Sequence, residues 1–247
     1  MWTYLLLFLS ISVFIGVFAY RAYALNVKKN TPPPEKKSLI DEETSDLDEN
    51  KKLSKQEKID VFALCDKADI KLKVGEEDEA IKLLVQAMAI DPANTTAQQK
   101  LAMLYMQKQM YSAAAALFKQ LGEITNEAVH YSNLGLALYQ QQEFEAAKEA
   151  YQRAVVLDPS RPQRFVSLAQ VYRSLDQSSN ALVAANKASE MDPENIDFLF
   201  LIADLQMDSK NYEESLNALK KILELDPANS EAKTYIRKVK KTAGEEA

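Results

Sequence analysis

Glycine, cysteine and histidine are scarce in this sequence of 247 residues. Common nucleotide-binding loops need closely spaced glycines, because the backbone must approach a phosphate. The chain has only five glycines, and they are far apart, at positions 16, 75, 122, 135 and 244. Its single cysteine, Cys65, and single histidine, His130, cannot form a disulfide, a Cys-x-x-Cys pair or a structural zinc site within the chain. These absences exclude most nucleotide-dependent and redox chemistry.

Charge and side-chain pattern indicate neither nucleic-acid binding nor catalysis. The chain has 30 basic and 36 acidic residues, a net charge of −6, which offers no global attraction to nucleic acid. A serine or cysteine nucleophile usually needs a nearby base, and the one candidate, His130, is expected at a surface or groove edge. Cys65 is expected to be a small packing residue. We therefore expect a protein that is not an enzyme and uses no cofactor, metal or small-molecule substrate.

The chain opens with an uncharged, largely apolar stretch of twenty residues. A helix of about 20 residues is long enough to cross a hydrocarbon core of ~30 Å, and aromatic residues flank the stretch as they do at membrane interfaces. The sequence therefore predicts a single transmembrane helix over residues 1–25. Arg21, Lys28 and Lys29 follow it, so the positive-inside rule places the rest of the chain in the cytoplasm.

A cleaved signal peptide is the alternative for this stretch. Residues 22–24 read A-Y-A, which resembles a cleavage site, although no basic residue precedes the apolar run. Cleavage would make the chain periplasmic or exported.

The next segment, residues 26–52, is predicted to be a disordered linker. It contains three consecutive prolines, Pro32 to Pro34, followed by mixed charges and few apolar residues. Such a composition cannot bury a core, and the prolines favour extended geometry. The segment is therefore expected to act as a flexible stalk.

The remainder of the chain repeats with a period of 34 residues. Asp-Pro occurs at residues 91, 158, 192 and 226, and the last three pairs are 34 residues apart. The longer first interval predicts an unmarked boundary near residues 122–126. Three sets of mostly small residues keep the same period: Ala68, Ala102, Gly135, Ala169 and Ala203; Ala80, Ala114, Ala147, Ala181 and Ser215; Ala87, Leu121, Ala154, Ala188 and Ile222.

This pattern predicts pairs of closely packed helices. Two helices approach closely only where side chains are small, and bulky neighbours such as Leu84 and Phe118 fill the space beside them. Proline ends each second helix, and the asparagines at 94, 195 and 229 are placed to cap the next one. Ser54 and Glu57 form a capping box at the start of the first helix.

These residues give the chain a clear resemblance to the tetratricopeptide-repeat family. The runs G-L-A-L-Y at residues 135–139 and A-V-V-L-D-P at residues 154–159 are close to that family's signature. The resemblance implies an all-α fold, an α-solenoid (right-handed superhelix) of about five helix-turn-helix repeats plus a C-terminal capping helix. It divides residues 53–247 into repeats at about 61–94, 95–127, 128–161, 162–195 and 196–229, with the capping helix at 230–242. Ser178 and Ala185 replace larger residues, so repeat four is expected to pack loosely.

The resemblance also implies a concave groove lined by the first helix of each repeat. Its predicted partner-binding residues are Phe62, Asp69, Met103, Met106, Leu136, Tyr139, Gln170, Arg173, Phe200, Asp204 and Met207. Cys65, Gln99, Ser132 and Val166 occupy further lining positions. The carboxylate clamp of lysine, asparagine and arginine that some cochaperones of this family use is not matched, which disfavours chaperone tails as partners. Tyr139 is the expected centre of binding.

The predicted function is a membrane-anchored scaffold or adaptor that binds a protein or peptide partner in this groove without catalysis. Two alternatives remain open. One is an exported cell-envelope assembly factor of the pilus or secretion type. The other is a regulatory subunit of a membrane enzyme complex.

Overall fold

The computed structural model describes residues 53–244, and these residues form eleven α-helices and no β-strand. In chain order the helices are α1 (Lys55–Lys73), α2 (Glu77–Ile90), α3 (Thr95–Gln107), α4 (Tyr111–Thr125), α5 (Ala128–Gln140), α6 (Phe144–Leu157), α7 (Pro162–Ser174), α8 (Ser178–Met191), α9 (Ile196–Asp208), α10 (Tyr212–Leu225) and α11 (Ser230–Thr242). Each helix packs against the next one along the chain. The predicted all-helical solenoid is therefore confirmed over this range.

Two predicted segments, the transmembrane helix at 1–25 and the linker at 26–52, lie outside the described residues. Within residues 53–244, no helix combines the length and the apolar character needed to span a bilayer.

A three-residue turn joins the two helices of each of the five pairs. Its middle residue has a positive φ, between 56° and 79°, at Gly75, Gln109, Gln142, Asp176 and Lys210. The residue after it donates its backbone N–H to a carbonyl five positions earlier, over 2.8 to 3.0 Å. This is the Schellman arrangement, which satisfies carbonyls at a helix end. Only one of the five turns uses glycine, the residue that adopts positive φ without steric cost.

The connections between pairs follow the predicted caps. α2, α6, α8 and α10 each end at the residue before an Asp-Pro pair. Asn94, Asn195 and Asn229 each accept a hydrogen bond from a backbone N–H in the first turn of the next helix. Ser54 and Glu57 form the expected capping box. These N-cap predictions are confirmed.

The boundary that lacks Asp-Pro falls at Asn126. This residue is in the left-handed conformation, with φ 52° and ψ 35°, and follows the last residue of α4. Asparagine tolerates this conformation better than most residues, so it ends the helix without a proline. The predicted boundary near residues 122–126 is confirmed.

The core runs along the whole array and is built where the small residues were expected. All fifteen positions of the three periodic sets are buried. In the last pair the set contains Ser215, whose hydroxyl donates to the carbonyl of Ala203 over 2.8 Å, so its polar atom is satisfied inside the core. Bulky residues of the second helices, such as Leu84 and Phe118, are fully buried beside the small ones.

In repeat three the two helices of the pair approach closely at Gly135. A Cβ atom added at Gly135 would lie 2.8 to 2.9 Å from three ring atoms of Tyr151, and Tyr151 itself is buried. At the equivalent positions of repeat five, Ala203 lies in one core cluster with Leu219. Glycine at 135 therefore leaves room for the Tyr151 ring, whereas Ala203 shares its cluster with the smaller Leu219.

One expectation about burial was wrong. His130 is buried, not at a surface or groove edge, because it lies one and two turns before Leu134 and Ala137 on the inward face of α5. Its Nε2 is 3.7 Å from a carboxylate oxygen of Glu127. Its Nδ1 has no hydrogen-bond partner within the described chain.

Candidate functional site

The eleven predicted partner-binding residues lie on the first helices of the pairs, α1, α3, α5, α7 and α9. None of them is buried. Phe62, Met103, Leu136, Gln170 and Arg173 are exposed, and the other six are half-buried. A row of side chains on neighbouring helices is therefore accessible to a partner, as the predicted groove requires.

Two of the additional lining positions do not belong to this surface. Cys65 and Val166 are buried and belong to core clusters of the array. Burial raises the pKa of the Cys65 thiol, which keeps it protonated and unreactive. Cys65 is thus the packing residue that its position on a helix predicted, and its place in the groove was wrong.

The centre of the predicted groove is apolar. Met103 on α3 and Leu136 on α5 occupy equivalent positions of successive repeats and keep 51% and 40% of their surface exposed. One turn further along each helix follow Met106 and Tyr139. Exposed apolar side chains in such a row are unusual on a solvent-facing surface and are typical of a binding site.

A cavity of about 800 Å³ opens beside this row. It lies between α1, the start of α2 and α3, and it is lined by Leu72, Glu77, Thr96, Gln99, Lys100, Met103, Leu104, Met106 and Gln107. Its volume is in the range of ligand-binding clefts. Met103 and Met106 belong both to the cavity and to the predicted site, so this end of the groove can accommodate a bulky side chain.

Polar contacts link neighbouring first helices at both ends of the groove. Lys100 Nζ lies 2.6 Å from the Asp69 carboxylate, and the hydroxyl of Tyr235 donates to the Asp204 carboxylate. In both pairs the two residues are 31 positions apart. The two contacts therefore occupy equivalent positions in different repeats, although the donor is a lysine in one and a tyrosine in the other. Burial and the Asp204 carboxylate raise the pKa of Tyr235, which keeps the phenol protonated and able to donate.

Arg173 takes part in the second of these links. Its guanidinium lies 2.7 Å from Asp208 and 3.7 Å from Asp204. The sequence singled out Asp69, Arg173 and Asp204 as polar groups available beside the apolar centre. In the structure all three are partnered across helices. Sequence reasoning missed Lys100, Asp208 and Tyr235, although the repeated spacing of 31 could have indicated two of them.

Tyr139 has a structural role as well as an accessible surface. Its ring centroid is 5.3 Å from that of Phe144 on α6, at an interplanar angle of 58°, and its hydroxyl is 3.1 Å from the Ser174 hydroxyl on α7. The side chain of Tyr139 is therefore half-buried between helices as well as accessible from the groove side. Replacing Tyr139 by alanine would remove packing between three helices, so a clean binding test must use other residues.

The described residues do not bring together three or more His, Cys, Asp or Glu side chains in a geometry suited to a metal ion. The groove offers methionine, leucine and aromatic surface with paired charges at its ends. Such a surface can bind a partner by burial of apolar area, with orientation set by the charged ends.

Comparison with known proteins agrees with this architecture. A model of the tetratricopeptide repeat matches residues 71–137 and 172–238, more than half of the chain, and another model of the same repeat matches residues 128–161. MamA has a similar solved structure, with a TM-score of 0.65 and 26% identity, covering 69% of this chain and 95% of that one. YrrB, a TPR protein with an unusual peptide-binding site, has a TM-score of 0.63 at 21% identity, covering 73% of this chain and 93% of that one.

Among curated proteins, a DnaJ homolog subfamily C member 3 homolog of Dictyostelium discoideum is 23% identical over 199 residues. The match covers 79% of this chain and 36% of that protein. The chain therefore spans about a third of this relative's length.

Proposed function

Because the chain belongs to the tetratricopeptide-repeat family, we propose that it is a non-catalytic adaptor that holds a segment of another protein along its concave groove. Stacked helix pairs of this kind present a continuous surface made from successive first helices. The exposed row that contains Met103 and Leu136 carries the proposal. Exposed apolar side chains aligned on neighbouring helices form a contiguous patch, and such patches mark interaction sites.

The partner segment presents apolar side chains to the centre of the groove. Methionine is flexible and polarisable, so Met103 and Met106 can adapt to a helix or to an extended strand. The charges at the groove ends are already partnered by Lys100, Arg173 and Tyr235. These charged pairs are expected to disfavour partner segments that place a like charge beside them, and to add little to the binding affinity.

The test compares the groove with another exposed apolar surface of the same protein. Met103→Ser with Leu136→Ser should weaken partner binding by about 1–2 kcal/mol for each residue. Val156→Ser with Val183→Ser is the matched control, since both valines are more exposed than Met103 but lie on the second helices α6 and α8.

The partner is first obtained by photo-cross-linking from native membranes, with the cross-linker placed at residue 136 or at residue 156. Binding to the purified partner is then measured by calorimetry for both double variants. Equal capture at the two positions, or equal loss of affinity in the two double variants, would contradict the groove as the working surface. Unchanged circular dichroism verifies that each variant is folded.

We further propose that residues 1–25 anchor the protein in a membrane, with residues 26–52 as a tether and the repeats in the cytoplasm. The uncharged opening stretch, followed by Arg21, Lys28 and Lys29, supports this orientation. Protease treatment of right-side-out vesicles should leave the repeats intact. Digestion of the repeats, or a mature chain that begins at Leu25, would refute the topology.

A further inference from the structure

The last helix of the array, α11, differs in charge from the helices before it. Residues 53–229 have 18 basic and 26 acidic side chains, whereas α11 has five basic side chains and one acidic side chain, Glu231. Soluble surfaces normally intersperse charges of both signs. Positive charge is therefore concentrated at the C-terminal end of an array that is otherwise net acidic.

The basic side chains of α11 lie away from the core. At 100° per residue, four of the five fall within an arc of about 100° around the helix. We call these four the basic stripe: Lys233, Arg237, Lys240 and Lys241. Three of them are exposed, and Lys240 is half-buried. Glu231 lies outside the arc, and so do Ala232 and Val239, which α11 buries against the preceding pair.

The stability of α11 does not account for the whole basic stripe. None of the four side chains forms a salt bridge within residues 53–244. Cations stabilise the last turn of a helix, which explains Lys240 and Lys241. Lys233, however, is the fourth residue of α11, near the end where the helix dipole disfavours a cation, and Arg237 lies in the middle. The two glutamates that follow α11 are eight or more residues beyond Arg237.

We propose that the basic stripe docks α11 on the anionic lipid surface of the membrane, an inference that rests on the anchor proposed for residues 1–25. The cytoplasmic leaflet has a negative surface potential, which attracts clusters of four or more Lys and Arg residues on a helix. Each basic residue near that surface strengthens association about fivefold. Four of them give a reversible attachment, which becomes effective once an anchor confines the chain to the membrane.

The length of the proposed tether permits this contact. Fully extended, residues 26–52 span up to about 90 Å. This reach exceeds the roughly 50 Å over which five helix pairs stack at 8–10 Å between helix axes. The last helix of the array can therefore meet the same bilayer that holds residues 1–25.

The acidic remainder of the array does not prevent docking. Salt screens charges over about 8 Å at physiological ionic strength, which is roughly the distance between neighbouring helix axes. On the preceding first helix, Asp204 and Asp208 are already partnered by Tyr235 and Arg173. A lipid surface against the outward side of α11 therefore meets the basic stripe, while most acidic side chains lie beyond the screening distance. The anchor also keeps lipid close to the stripe, which favours lipid over a free polyanion such as RNA.

Fluorescence quenching of the full chain in reconstituted vesicles tests the proposal. Ser230→Cys places a fluorophore at an exposed position within the arc of the basic stripe, and lipids with a nitroxide on the headgroup quench it only at contact. Quenching should be about threefold greater or more in vesicles that contain phosphatidylserine than in vesicles of phosphatidylcholine alone.

Salt and a second label position provide the controls. Raising the salt concentration to about 1 M should remove the difference between the two vesicles, because the screening length falls to about 3 Å. Ser112→Cys, at an exposed position on α4, should show no difference between them. The native Cys65 is buried, and the parent chain measures its background labelling.

Charge reversal then identifies the residues responsible. In the Ser230→Cys background, Lys233→Glu with Arg237→Glu should reduce quenching to the level in neutral vesicles, since the loss of two basic residues alone weakens association about 25-fold. Lys58→Glu with Lys119→Glu is the matched control, because both lysines are exposed, lie on α1 and α4 and form no salt bridge within the described residues. It makes the same change in net charge and should leave quenching unaltered. Circular dichroism verifies the fold of every variant.

The anchor is tested separately from the basic stripe. Flotation of the chain with phosphatidylcholine vesicles at about 1 M salt depends on residues 1–25 and not on charge. Failure to float refutes the anchor, and quenching at residue 230 is then measured after the chain is added to an excess of preformed anionic vesicles.

Three results would overturn the docking of α11 on lipid. The first is equal quenching at residue 230 in anionic and neutral vesicles, or equal loss of quenching in the two double variants. The second is quenching that appears only after residues 41–49 are deleted, which would mean that this acidic segment covers the basic stripe. The third is loss of quenching when an equimolar RNA oligonucleotide is added, which would assign the stripe to nucleic acid.

Discussion

Replacement of Gly135 by alanine should destabilise the protein, against the usual effect of this change in a helix. Alanine is normally better than glycine in a helix interior by about 1 kcal/mol. At position 135, however, the new Cβ atom would lie 2.8 to 2.9 Å from Cδ2, Cε2 and Cγ of Tyr151. Tyr151 is buried, so its ring cannot move aside into solvent.

The magnitude follows from the two opposing terms. Overpacking of a core costs about 1–3 kcal/mol, and the upper part of this range applies because three atoms of one rigid ring are approached at once. After the gain in helix propensity is subtracted, a net loss of about 1 kcal/mol is expected. For a chain of this size, the thermal midpoint should fall by roughly 2–4 °C.

Thermal unfolding followed by circular dichroism measures the effect, and a second substitution identifies its cause. Tyr151→Leu reproduces the combination found in repeat five, where Ala203 packs in the same cluster as Leu219. The double variant should therefore be more stable than the sum of the two single changes predicts, by about 1 kcal/mol or more.

Gly122→Ala is the control for the propensity term. Its Cβ would approach Tyr131 at 3.0 to 3.2 Å, but Tyr131 is only half-buried and its ring can shift. The stability should stay within about 0.5 kcal/mol of the parent. A Gly135→Ala variant as stable as the parent, or the absence of coupling with Tyr151→Leu, would refute the packing argument.

Three further predictions concern packing and pH. Backbone amides of α8 should exchange with solvent earlier than those of α6 and α10, because Ala185 makes less packing contact in repeat four than Tyr151 makes in repeat three. Native-state hydrogen exchange that shows α8 among the best protected helices would contradict this. Burial raises the pKa of Tyr151 to about 12, so the native state retains a proton that the unfolded chain loses near pH 10. The free energy of unfolding should therefore fall between about pH 10 and 12. In Tyr151→Phe, thermal unfolding at alkaline pH should show a smaller decrease of the midpoint over this range. Hydrogen bonds from Ser160 and Arg164 lower the pKa of Asp158. The ionised carboxylate therefore stabilises the folded state above its ordinary pKa near 4, and this contribution is lost as the pH falls below that value. Asp158→Asn should be less stable than the parent at neutral pH, and its free energy of unfolding should decrease less on acid titration.

The arrangement of helices was predictable because the signals for it are local. A helix end depends on a capping side chain within three residues, as at Ser54 and Asn94, and on proline just beyond. The small residues recur at the period of the repeat, so their burial follows from helix geometry alone. Even the boundary without Asp-Pro could be placed by counting, and Asn126 ends the helix there.

The candidate site was predictable only in part. Periodicity assigned the accessible row that includes Met103 and Leu136. It did not separate this row from Cys65 and Val166, which the neighbouring helices bury. Whether such a position is exposed or buried depends on the rotation of each first helix about its own axis relative to the neighbouring helices. That rotation is set by the packing of side chains from three helices at once.

The sequence by itself determined the helix pairs, their caps and the small-residue core of this protein, because residues close in the chain or one period apart specify them. Only the tertiary structure decided that Asp69 meets Lys100, that Asp204 meets Arg173 and Tyr235, and that Tyr139 packs on Phe144. Those contacts form between helices whose relative orientation no single segment encodes. Asp69, Arg173 and Asp204, which the sequence indicated as free polar groups, are therefore partnered in the structure, because residues of separate repeats meet only in the folded array.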